Sequence, residues 1–80
     1  MDAAARRQLQ ADLRALSDGD RAAASAVFSA LWPVCLSFAK RALRHDDDAK
    51  DAAQNALVKL FQQAPSFDET RSALGWALAL

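Results

Sequence analysis

From Ala22 to Ala39 the chain carries no charged residue, and this run, bounded by Arg21 and Lys40, constrains the fold more than any other feature. Its length is close to that of a membrane span. Against a span, the run is diluted by several alanines, by Ser25, Ser29 and Ser37, and by Pro33 near its middle. The serines and Pro33 recur about every four residues and form a weakly polar stripe. Val27, Phe28, Leu31, Val34, Cys35 and Phe38 recur at three and four on the apolar side. Two such faces describe a core helix of a bundle, and no membrane partner is expected. The periodicity carries this helix from about Asp20 to Arg44. Pro33 cannot donate a backbone hydrogen bond and its ring crowds the carbonyl of Ser29, so a kink or brief interruption is expected there.

The flanking segments read as helices too. Asp2 can cap a first helix from about Ala3 to Leu16, with Leu9, Leu13 and Leu16 on one face. Ser17, Asp18 and Gly19 break it, and Asp18 or Asp20 can cap the long helix that follows. Lys40, Arg41 and Arg44 crowd the carboxyl end of that helix, where positive charge is favourable. His45, Asp46, Asp47 and Asp48 form the next break, the aspartates suiting and capping the amino end of a third helix that stops before Pro65. Its apolar face is Ala53, Ala56, Leu57, Leu60, Phe61 and Ala64. Asp51, Gln54, Asn55, Val58 and Gln62 line up on the opposite surface. A last segment, Arg71 to Leu80, carries Leu74, Trp76, Leu78 and Leu80 and reads as a helix cut mid-course. Neighbours two apart on a helix lie about 200° from each other, so these four cannot share one side. Part of that apolar surface is expected to seek a partner outside the core, as a homodimer through this end.

With 80 residues, two glycines, two prolines and no alternating run of strand length, the chain is expected to form a single all-α domain, a compact bundle of three to four helices. Ten basic and ten acidic side chains cancel, so the chain has no overall electrostatic footprint for duplex DNA or an anionic membrane. Cys35 is the only cysteine, which removes an internal disulfide or a multi-thiolate metal site and fits a reducing cytoplasm. No apolar signal stretch opens the chain. His45 with its three aspartates is a poor metal site, because consecutive residues at a helix start point in different directions. No phosphate loop or nucleophile elbow is present, and no enzyme activity, cofactor or metal is expected.

Four pieces in order are more distinctive: GDRAA at Gly19–Ala23, LWPVCLSFAKRAL at Leu31–Leu43, DDAKDAAQNALVKLF at Asp47–Phe61, and APSFDETRSALGWALAL at Ala64–Leu80. From about Leu13 to Leu80 the chain resembles region 2 of bacterial RNA polymerase sigma factors of the extracytoplasmic-function group. The most specific part is the Asp51 and Gln54 pair, followed by an apolar helix and then by Phe67, Asp68 and Arg71.

The resemblance implies docking on the clamp helices of the RNA polymerase β′ subunit, for DNA-templated transcription initiation, through Asp48, Asp51, Gln54, Asn55 and Val58. A polar stripe with two carboxylates and one apolar anchor suits charge-assisted hydrogen bonds to a basic coiled coil. The same stripe, without the resemblance, reads as a solvated helix face. The sequence departs from the family at Asn55, where an acidic residue is usual, and after Arg71, where a glycine is usual. The basic and aromatic residues usual after Trp76 are absent, as is region 4. Arg71 and Trp76 are thus the nucleic-acid-binding candidates, with promoter DNA a partner only of a longer parent chain. Two functions stay open: a fragment of a full sigma factor, or a stand-alone module that occupies polymerase or an anti-sigma partner without promoter recognition. Self-association through the apolar carboxyl end is a third.

Overall fold

The computed structural model describes residues 1–80 as four α-helices with no strand. Helix α1 is Ala3–Ser17, α2 is Ala23–Ala42, α3 is Asp46–Gln63, and α4 is Ala73–Leu78, with a 3₁₀ turn at Ala64–Ser66 between the last two. The boundaries have local causes. Asp2 caps α1 by accepting a hydrogen bond from the Ala5 N–H at 2.8 Å. The turn after α1 places Gly19 at φ 95°, a conformation that L side chains rarely adopt. Asp20 then accepts from the Ala22 N–H at 3.1 Å, just ahead of α2. Pro65 lies in the 3₁₀ turn, where α-helical pairing has already stopped. Ser72 caps α4 by accepting a hydrogen bond from the Gly75 N–H at 3.3 Å.

The core joins all four helices. Leu9 and Leu13 of α1, Val27 and Leu31 of α2, Leu57 and Leu60 of α3, Phe67 of the following loop and Ala73 of α4 form one buried cluster. Leu16 packs on its edge. The remaining buried positions are all alanines: Ala23, Ala49, Ala53 and Ala64. Residues this small let helix axes approach closely but remove little apolar area from water. The accessible surface, 5352 Å², accordingly exceeds the roughly 4,700 Å² that size scaling gives for a folded chain of this mass.

Several expectations require correction. Helix α2 runs unbroken through Pro33. Both Pro33 and Ser29 face solvent, so water can satisfy the carbonyl that loses its partner. Phe28 and Phe38, placed on the core face by periodicity, are 40% and 53% exposed. Phe28 stacks on Trp32 with ring centroids 5.5 Å apart, and the Arg41 guanidinium sits 5.8 Å from the Phe38 ring centroid. Ala56 is likewise exposed, while Ala49, one turn before Ala53, is buried instead. The aspartates at the start of α3 make no cap hydrogen bond. His45 holds the cap position, and Asp46, Asp47 and Asp48 fill the first turn, where their charge complements the helix dipole. By length and composition α2 could cross a membrane. In the bundle it is packed between α1 and α3 through Ala23, Val27 and Leu31.

Candidate functional site

The outer face of α3 is set by the burial of its inner face. Ala49, Ala53, Leu57 and Leu60 point into the core at spacings of four, four and three, which fixes the helix rotation. Asp48, Asp51, Gln54, Asn55, Val58 and Gln62 are thereby all turned to solvent. Every side-chain hydrogen bond within the chain, and its single salt bridge, lies elsewhere. The polar groups of the stripe therefore have no intramolecular partner to give up on binding. Val58 is 54% exposed among them, a β-branched apolar side chain whose desolvation would favour association. Carboxylates lead the face at its amino-terminal end, and Gln54 and Asn55 add both donors and acceptors. Such a face can grip a helix that presents basic and amide side chains.

The nucleic-acid candidates lie on another part of the molecule and do not join this face. Arg71 is exposed in the loop before α4. Trp76 is half-buried, with its ring edge-on to Phe67 at 5.2 Å between centroids, and so braces the core as well as facing outward. Leu74 and Ala77 also fold against the core, whereas Leu78 and Leu80 are 49% and 39% exposed. The four apolar residues thus divide along the chain, Leu74 and Trp76 on the core and Leu78 and Leu80 at the surface, rather than between alternate positions.

The loop before α4 has its own order. Asp68 accepts from both the N–H and the hydroxyl of Thr70, at 3.0 and 2.8 Å, and the Arg71 N–H donates to the Asp68 carbonyl. The Thr70 backbone and side-chain bonds, with Arg71 nearby, hold the Asp68 carboxyl below its ordinary pKa. The residue that sequence reading missed is Gln10. Its amide binds the backbone of this loop from the opposite end of the chain, and no local pattern signals a contact between residues some sixty positions apart. Cys35 lies half-buried on α2 with its thiol pKa pushed up by burial, the reverse of what a reactive thiolate needs.

An all-α domain with a solvent-facing, mixed polar and apolar face on its third helix is the class of module defined by this geometry. The sigma-70 region 2 family pattern matches residues 27–80, more than half of the chain, and the chain belongs to that family. No curated protein and no solved structure matches it. The match takes in most of α2, all of α3, the loop and α4, and leaves α1 and the Gly19–Ala23 opening outside. Sigma-70 region 2 is a domain of sigma factors, which bind RNA polymerase core in transcription initiation, and it is not an enzyme family.

Proposed function

We propose that residues 1–80 form one region 2 unit of the extracytoplasmic-function type, which docks on the β′ clamp helices through Asp48, Asp51, Gln54, Asn55 and Val58. The observation that carries this reading is the outward stripe on α3, all of whose polar groups are unpaired within the chain. Titrating a fluorescently labelled clamp-helix fragment with the 80-residue chain is expected to give saturable binding. A flat titration at concentrations well above those of the polymerase contact would overturn it. An anti-sigma partner would compete for the bundle, and the cytoplasm is where polymerase is met.

On this reading the 80 residues dock without gripping DNA. Single-strand capture uses aromatic platforms in a basic groove, and here Trp76 is engaged with Phe67 while Arg71 stands beside Asp68 and Glu69. No electrophoretic shift of melted promoter DNA is expected at physiological salt. A shift that an unrelated strand competes away would contradict this.

A second reading has one observation in its favour. Cys35, Phe38, Ala39, Ala52, Ala53, Ala56, Ala77, Leu78 and Leu80, all apolar residues, line a groove of 310 Å³ between α2, α3 and α4. Leu78 and Phe38, exposed on its rim, extend a surface that a second copy of the chain can cover. Sedimentation is expected to show a concentration-dependent dimer for the parent and a monomer for Leu78→Asp. A monomer for both at high concentration would remove this reading.

A further inference from the structure

We propose that Gln10 of α1 is a positioning residue that clamps the loop between α3 and α4, so that the geometry of residues 68–73 is conditional on a helix outside the matched stretch. The Gln10 amide uses both of its ends. Its Nε2 donates to the Arg71 carbonyl at 2.8 Å and to the Glu69 carbonyl at 3.3 Å, while its Oε1 accepts from the Ala73 N–H at 2.7 Å. An N–H in the first turn of a helix has no intrahelical acceptor, so the bond from Ala73 completes the start of α4 that Ser72 caps on its other side. The two carbonyls it binds belong to a loop whose own cross-links are short-range: the turn built by Asp68 and Thr70, and the bond from the Arg71 N–H to the Asp68 carbonyl.

One turn farther along the same face of α1, Arg14 Nε meets Glu69 at 2.6 Å. Both partners of that ion pair are more than half exposed, so it adds little stability by itself. Gln10 differs in one of its three bonds: that from Ala73 is partly shielded from water, while those to Glu69 and Arg71 are exposed. Ala73 is 1% exposed and belongs to the core cluster, so Gln10 connects the loop backbone to the point where α4 enters the core. A cleft of 510 Å³ lined by Arg7, Gln10, Ala11, Arg14, Glu69 and Thr70 follows this seam. The amide supplies two N–H donors and an acceptor oxygen at the same reach. A purely apolar side chain of the same length can fill the space but cannot hold the three backbone groups.

The experiment compares amide hydrogen exchange in the full 80-residue chain and in Gln10→Ala, Gln10→Met and Gln8→Ala. Gln8 bonds only to Asp12 within α1 and serves as the control. Exchange at Arg71 and Ala73 is expected to rise about tenfold in both Gln10 variants. Amides from Ala53 to Leu60 in α3 keep their protection, and Gln8→Ala behaves as the parent. The proposal fails if Gln10→Met retains the parent's protection, because packing would then suffice. Unchanged exchange in Gln10→Ala would overturn it, and so would a uniform rise across α3, which would make Gln10 a general stabiliser rather than a local clamp. None of these readouts depends on polymerase binding, so the docking proposal and this one can fail separately.

Discussion

Asp51→Arg is expected to weaken binding of a β′ clamp-helix fragment by about 2 kcal/mol or more, roughly thirtyfold in Kd, with the thermal midpoint almost unmoved. The substitution exchanges an attraction for a repulsion at the acidic end of the α3 stripe, where the proposed partner is basic. Asp51 is exposed and makes no hydrogen bond or salt bridge within the chain, so folding has little to lose. Binding by fluorescence anisotropy and unfolding by circular dichroism separate the two effects. An Asp51→Arg variant that binds as the parent does would remove α3 from the docking surface.

Leu57→Ala is expected to have the opposite signature. Leu57 is 1% exposed in the cluster that joins α1, α2 and α3, and truncating it removes buried methyl groups and leaves a cavity. The cost is about 2 to 5 kcal/mol, a large share of what holds a domain of this size together. The thermal midpoint should fall by about 10 °C or more. Val58→Ala, one position along the same helix, should change stability by about 0.5 kcal/mol or less, because Val58 faces solvent. If the two truncations lowered the midpoint equally, the assigned rotation of α3 would be wrong.

That rotation was legible in the sequence because its signals are local. Leu57 and Leu60 repeat at helical spacing, three aspartates and Pro65 mark the ends of α3, and Asp51, Gln54, Asn55 and Val58 fall on the remaining side. Asp2, Leu9 and Leu13 placed α1 in the same way. Phe28 and Phe38 show where periodicity stops being informative. A repeat identifies a face but not how wide a neighbour covers it: Phe28, one position past buried Val27, is exposed, and Phe38 lies two turns beyond Leu31, the last buried position of α2. Pro33 shows a second limit, since a lost backbone bond breaks a helix only when solvent and packing fail to compensate. Gln10 shows a third. Its partners Glu69, Arg71 and Ala73 are brought to it by the tertiary fold alone, so its role became visible only with the chain folded.

The alanines in the core have a consequence for how this domain can change over time. Ala23, Ala49, Ala53, Ala64 and Ala73 make up five of the twelve buried positions. Truncation has almost nothing to remove at such sites, whereas added methyl groups at a fully buried one such as Ala49 overpack the core. Drift toward larger residues is therefore resisted along the buried edge of α3, with Ala53 beside the apolar groove the roomiest position, and drift toward glycine there costs helix propensity. The inner side of the helix is held nearly fixed in sequence by geometry, and the outer side is free to vary at little cost to folding. Variation in what this helix recognises can then accumulate on Asp48, Asp51, Gln54, Asn55 and Val58 while the scaffold that presents them stays the same.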